Sequence, residues 1–308
     1  MPDDKLFKTR WGNFKDKGEP VAFTLAAVAE ALDTIADLKE QNIGGETVEQ
    51  RLGEYKNWDP DIFKVDKDTE DGFRKRLEER GETVVLLSEE VGRVEIGSGE
   101  AKYFTVADPF DGSWLFKRGI PDFWYSSLAF FDREFNPVCT AVGDAVPRNI
   151  AFADKSGAYI AKLEGDQLTH TVKLDKEYRE KMGRPDVTDV AKGGIESYAM
   201  KPKKFLMPLV DKYRKLLDPF KFFLPNGGPY GFVDVAEGKI DVYFAPKQPF
   251  VDIFSGTMVA EKAGAIITDF DGNPIQCSDN VKSVYDVVCS SNRKLHDWVL
   301  ETIASCGK

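Results

Sequence analysis

The sequence predicts a two-part molecule: an α+β half over residues 1–162 and an α/β half over residues 163–308. Two observations carry this. The first half orders two helical periodicities ahead of an unbroken run of β-prone segments, whereas the second alternates helix and strand patterns to its end. Between the halves, residues 163–197 are polar and punctuated by Gly165, Gly183, Pro185 and the Gly193-Gly194 pair, which marks a junction.

Taken in order, residues 1–18 are polar and Gly-broken and predict a loosely held arm. Phe23, Ala27, Ala31, Ile35 and Leu38 recur at helical spacing and predict an amphipathic helix over 21–40. Residues 41–59, with Gly44-Gly45, Gly53 and Trp58-Asp59-Pro60 at its end, form a connection. A second helix opens near Asp66, with Phe73 and Leu77 four apart and Gly81 just past its end. The buried-strand pattern of 83–87 then delivers Ser88-Glu89-Glu90, and that of 101–107 delivers Asp108-Pro109-Phe110-Asp111-Gly112-Ser113. Segments 124–131, 138–142, 150–153 and 158–161, separated by turn residues, predict an antiparallel meander. In the second half, helices are expected over 205–217, 230–237, 252–263 and 294–305, and strands over 220–224, 240–244, 265–268 and 284–290.

Composition narrows the function. Hydrophobic residues make up 42% and charged residues 31%, as expected of a globular chain with ample core. A net charge of −10 leaves no excess of Lys or Arg for a nucleic-acid polymer. Cys139, Cys277, Cys289 and Cys306 form no CxxC pair, so neither a zinc site nor a disulfide framework is indicated, and a cytoplasmic setting is expected. No apolar leader or membrane-spanning run is visible, so no membrane partner is expected. His170 and His296 are the only histidines, which leaves little room for His-based catalysis or ligation.

Acidic residues supply the chemistry instead. Asp66 opens a helix, Glu89-Glu90 and Asp108 with Asp111 end strands, and Asp252 opens another helix. Two acids three residues apart at a strand mouth repel one another unless a cation lies between them. Hard divalent ions such as Mg²⁺ take oxygen ligands of this kind. Two such ions polarise a phosphoryl oxygen and lower the pKa of a bound water. Taken singly, each acid is a plausible cap or turn residue, Asp66 and Asp252 especially.

The ordered set Asp66, Glu89-Glu90, Asp108-Pro-Phe-Asp111-Gly-Ser113 and Asp252 resembles the inositol monophosphatase/fructose-1,6-bisphosphatase superfamily of Mg²⁺-dependent, lithium-sensitive phosphatases. Phe116-Lys-Arg-Gly119-Ile-Pro121, Val235-Ala-Glu-Gly238-Lys-Ile-Asp241 and Asp252-Ile-Phe-Ser-Gly256 with Glu261-Lys-Ala-Gly264 are similar to its later motifs. The resemblance implies a layered αβαβα sandwich, a homodimer, and a small-molecule phosphate ester as partner. It implies two or three Mg²⁺ ions, or Mn²⁺, on Glu89, Asp108, the Phe110 carbonyl, Asp111 and Asp252. Glu89 and Ser113 would handle the attacking water, with Asp66 acting through water on a further ion. Asp111, Gly112, Ser113, Gly228 and Asp252 would hold substrate, the Gly112 and Ser113 amides gripping the phosphate.

Departures from the family pattern fall on the alcohol side. Inositol-selective members carry a Glu seven residues before the last ligand, where this chain has Ala245. Where those members have Gly-(Ser/Thr)-Ala-Ala, this chain has Asn226-Gly227-Gly228-Pro229. Sugar phosphates and bisphosphates, inositol-phosphate-like esters and nucleotide 3′-phosphates all stay open. Lys247 and Arg118 are candidates to meet a second phosphate, with solvated surface cations as the plainer alternative. A non-catalytic, metal- and phosphometabolite-binding regulatory protein is the rival of a different class. Asp269-Phe-Asp271-Gly272-Asn273 resembles a haloacid dehalogenase opening, but only 35 residues follow it, so a tight turn is expected there. Asp66-Lys-Asp-Thr-Glu-Asp-Gly72 fails as a calcium loop on register.

Overall fold

The structure is a computed structural model that describes residues 3–51 and 59–307. Gly53 and Trp58 of the expected connection lie outside the described residues. Three helices, α1 (Asp4–Asn13), α2 (Val21–Glu40) and α3 (Lys64–Arg80), form the first layer, with a hairpin of β1 (Thr47–Gln50) and β2 (Asp61–Phe63) beside it. The larger sheet follows as β3 (Val84–Ser88), β4 (Gly92–Ile96), β5 (Tyr103–Asp111), β6 (Tyr125–Phe131), β7 (Pro137–Asp144), β8 (Asn149–Asp154), β9 (Gly157–Glu164) and β10 (Gln167–Leu174). Its spatial order is β10-β9-β8-β7-β6-β5-β3-β4, and only β3 and β5 run parallel. Short α4 (Ser113–Lys117) leaves the end of β5, and α5 (Lys176–Lys181) follows β10.

The second sheet is ordered β12-β11-β13-β15-β14, from β11 (Gly194–Glu196), β12 (Phe222–Leu224), β13 (Val242–Pro249), β14 (Ile266–Asp269) and β15 (Val284–Ser290). Helices α7 (Pro229–Ala236), α8 (Phe250–Phe254) and α9 (Thr257–Lys262) pack between the sheets. Helices α6 (Met207–Leu217) and α10 (Arg293–Ser305) cover the outer face of the second sheet. The result is the αβαβα sandwich.

Strand β3 shows why the layers stack. Val84 and Leu86 join a core with Phe23 and Phe73 of the helical layer, whereas Val85 and Leu87 join one with Phe232 and Phe250. Strand period two thus presents an apolar residue to each face, as a sheet covered on both sides requires. Gly143 of β7 lets α2 approach closely, since a Cβ there would stand 2.7 Å from the Val28 Cγ1.

One expectation needed correction, and two edge strands carried no clear sequence signal. The N-terminal segment is a packed helix, not a loose arm: Phe7 and Phe14 are buried, and Arg10 donates to the Gly165 carbonyl (3.0 and 2.6 Å) and to Asp33 (2.5 Å). Its two aromatic anchors are too sparse to make a periodic signal. The polar stretch 163–197 holds β10, α5 and β11, the first an edge strand with mostly exposed side chains. Strand β4, also an edge, alternates Arg93 and Glu95 outward and so lacks an apolar run.

Helix α3 buries Glu70, which accepts a hydrogen bond from the Ser88 hydroxyl. Burial, opposed by that bond, pushes its carboxyl up to about 7. The folded chain then holds a proton between pH 4.5 and about 7 that the unfolded chain has released. Stability contributed by the neutral form is therefore complete at the acid end and falls as pH rises through this window. Glu70→Gln is expected to flatten the decline of melting temperature between pH 5 and 7.5, measured with a chelator present so that metal binding does not intrude. A slope identical to that of the parent would refute the assignment.

Candidate active site

Parallel pairing of β3 with β5 sets Ser88 beside Ala107, so both strands release their acids at one edge of the sheet. The β5–β6 ladder is irregular between Asp108 and Asp111. Pro109 there has no N–H to donate, which frees the strand from its regular register. Helix α8, wedged between the sheets, brings Asp252 to the same place. Carboxylate oxygens of Glu89, Asp108 and Asp252 all lie within 4.8 Å of one another, and Asp108 is only 1% exposed. An octahedral Mg²⁺ spans about 4.2 Å between opposite oxygen ligands, so small side-chain adjustments make this trio a fit for a hard divalent ion.

Asp66 sits in the first turn of α3, and both of its oxygens are used. Oδ2 accepts from the Phe63 backbone N–H (2.8 Å) and caps the helix; Oδ1 accepts from the Ser113 hydroxyl (2.6 Å). One carboxylate thus both caps its helix and holds Ser113, another of the residues expected in the site. Burial, offset in part by these two bonds, pushes its carboxyl up to about 7.

Two glycines are required by geometry. Gly112 has φ +107°, and a Cβ on it would fall 2.0 Å from the Phe123 carbonyl oxygen. Gly228 has φ +69°, and its Cβ would fall 2.1 Å from Asp111 Oδ2. The Asp111 carboxylate is thus seated against the bare backbone at the start of α7, which joins the two halves of the site. One cavity holds Glu89, Phe110, Asp111, Gly112, Ser113, Gly228 and Asp252.

Sequence patterns missed Arg51. It follows β1, and its Nη2 reaches Glu89 (3.1 Å) and Glu90 (2.5 Å), while Nη1 donates to the Asp59 carbonyl (2.7 Å). Burial alone depresses this guanidinium, but Glu89, Glu90 and Asp66 outweigh it and hold the proton more firmly than usual. Nothing in a Gly-rich connection marks such a residue. Lys201 was missed too; it lines the cavity and pairs with Asp59. Lys247 and Arg118 are exposed and do not line the cavity. Asp269 caps a tight turn, accepting from the backbone of Asp271 (2.9 Å) and Asn273 (2.8 Å), as the plainer of its two readings required. The thiols of Cys139 and Cys277 are pushed up to about 12 by burial, and that of Cys289 further, so none is a ready nucleophile. No helix among the described residues is long and apolar enough to cross a membrane.

A family model described as the inositol monophosphatase family matches residues 17–308. The chain belongs to that family. Membership makes it a phosphoric monoester hydrolase. Among inositol monophosphatase relatives, a fructose-1,6-bisphosphatase/inositol-1-monophosphatase of Thermococcus kodakarensis is 28% identical over 280 residues, covering 89% of this chain and 95% of that protein. A fructose-1,6-bisphosphatase of Pyrococcus furiosus is 31% identical over 249 residues, covering 78% and 82%. Among solved structures, the extragenic suppressor protein suhB of Bartonella henselae has a TM-score of 0.70 at 16% identity, covering 91% and 96%, and supports the fold.

Proposed function

We propose that this inositol monophosphatase family member hydrolyses a small phosphomonoester, a sugar phosphate or bisphosphate, an inositol-phosphate-like ester or a nucleotide 3′-phosphate, with Mg²⁺ in the acid cluster. The convergence of Glu89, Asp108 and Asp252 oxygens within 4.8 Å, from three separate elements, carries this reading. Asp111 and the Phe110 carbonyl, which line the same cavity, complete the donor set for two or three ions, and Mn²⁺ shares the same oxygen preference. When bound, such ions polarise the phosphoryl oxygens and acidify a water.

The chain's own groups do the rest. Ser113 commits its hydroxyl hydrogen to Asp66, which leaves the Oγ lone pairs to accept from a water and aim it. Glu89 is the acceptor for that water's proton. Asp66 holds Ser113 in place and would act through water on a further ion. The Gly112 and Ser113 amides, opened by a glycine that tolerates φ +107°, receive the phosphate oxygens. Gly228, with no side chain, lets the ester approach Asp111 and Asp252.

Phosphate release from a panel of inositol, sugar, bisphosphate and nucleoside monophosphate esters tests the proposal. Turnover is expected with Mg²⁺, none with chelator, and inhibition by Li⁺. No release from any ester would sink it. Release from inositol phosphates alone would show that the missing acceptor at Ala245 does not turn the site away from inositol.

A further inference from the structure

The phosphate end of the cavity is acidic; its continuation is mainly aromatic and apolar, and the acid there, Asp59, is held by Trp114 and Lys201. Beyond Ser113 and Gly228 the lining includes Trp114, Tyr198, Met200 and Phe205. Tyr198 and Phe205 meet edge to face, with ring centroids 4.9 Å apart at 78°. Trp114 is 43% exposed yet held from several sides: its Nε1 donates to Asp59 Oδ1 (3.0 Å), its ring stands edge-on to Phe63 at 5.6 Å, and the Lys117 ammonium lies 5.1 Å from its centroid. A large aromatic that is fixed in place but open to solvent offers a ready-made stacking face at little cost in conformational entropy.

The polar alternatives are less well provided for: Asn226 and Gln248 also line the cavity, but both are buried and donate to the Tyr125 hydroxyl (3.4 Å) and the Pro246 carbonyl (3.3 Å). A polyol alcohol needs acceptors for its ring hydroxyls, and a site built for them leaves buried groups unpaired when they are missing. Ala245 is fully buried and offers none. A second phosphate needs uncompensated cations. Among the described residues, Lys201 is the one Lys or Arg lining the cavity, and its ammonium is already paired with Asp59.

We propose that the alcohol leaving from this site carries a planar aromatic ring, a nucleobase above all, received by Tyr198, Phe205 and Trp114. This rests on the phosphomonoesterase reading above, because the ester's phosphate must sit at the acids for its alcohol to reach these rings. Tyr198 and Phe205 are then the residues that set specificity.

Steady-state kinetics of the full chain with Mg²⁺ would compare adenosine 3′-monophosphate and adenosine 2′-monophosphate with phenyl phosphate, inositol 1-phosphate and fructose 1,6-bisphosphate. A nucleoside ester is expected to exceed both non-aromatic esters in kcat/KM by about tenfold or more, the range of one base-stacking contact. Phenyl phosphate as the best ester would assign the wall to simple aryl groups and overturn the nucleobase. In Tyr198→Ala and Phe205→Leu the ratio of nucleoside to inositol kcat/KM should fall about tenfold, mainly through KM, whereas Tyr198→Phe should restore it. Preference for inositol 1-phosphate or fructose 1,6-bisphosphate, or equal losses on every ester, overturns the proposal. If no ester is turned over, the phosphatase reading itself has failed. Calorimetry of adenosine binding then decides the wall alone: binding by the parent but not by Tyr198→Ala supports it, and no binding by either refutes it.

Discussion

Asp108→Asn should reduce kcat/KM by about a thousandfold or more while leaving the protein folded, a loss of roughly 4 kcal/mol of transition-state stabilisation. The substitution keeps volume and removes one negative charge at a position that is 1% exposed, with Glu89 and Asp252 oxygens within 4.8 Å. Three acids so placed repel one another, and removing one charge relieves that repulsion. The melting temperature in chelator is therefore expected to match or exceed the parent's. With Mg²⁺ the order should reverse, because the parent gains ligand-linked stability that the variant cannot. Two measurements follow, turnover against Mg²⁺ concentration and thermal melting with and without the ion. Undiminished turnover, or an equal Mg²⁺-induced rise in melting temperature, would remove Asp108 from the centre.

The largest stability effect is expected far from the site, at Arg76. Its side chain is fully buried and forks onto Glu30, Nε to Oε2 at 2.8 Å and Nη2 to Oε1 at 2.5 Å. It also reaches Glu79 (2.6 Å) and Asp4 (2.9 Å), and its guanidinium lies 4.3 Å from the Phe7 ring centroid. One residue of α3 thus ties α1 and α2 to its own helix. Burial pushes the Glu30 carboxyl up, and the hydrogen bonds and charge of Arg76 oppose that push. Arg76→Met keeps much of the apolar stem but leaves a buried acid without its guanidinium, and should cost about 3–5 kcal/mol. Adding Glu30→Met removes the stranded charge and should return most of that loss, since a buried pair is often replaceable by apolar residues of similar volume. Urea unfolding of the four members of this cycle tests the coupling. Equal destabilisation in the single and double variants would show that Arg76 acts by packing alone.

Neither of these residues was equally visible beforehand. Asp108 stood out because a rigid Pro, two acids, a Gly and a Ser follow a buried strand, a local pattern with local meaning. Arg76 looked like any charged residue on an acidic helix, since its burial depends on α1 and α2 closing over it. The same contrast runs through the fold. Helix α2 and strand β15 were readable to the residue, because α2 presents a full apolar face and β15 carries the buried Val287-Val288-Cys289 run. Edge strands β4 and β10 were not, because an edge is stabilised by one neighbour's backbone and keeps its side chains polar.

Determined by sequence alone were the acids, their order along the chain, the glycine needed at position 112 and the loss of an acceptor at Ala245. These are properties of residue type and short-range spacing. The tertiary structure decided which acids meet: Glu89, Asp108 and Asp252 come together only because β3 runs parallel to β5 and α8 is wedged between two sheets. It also decided that Asp66 serves Ser113 and its own helix at once, and that Gly228 seats the Asp111 carboxylate. Arg51, Lys201 and the aromatic wall belong to the same category. Their roles arise from contacts across tens to hundreds of residues, and no local pattern encodes a distance of that kind.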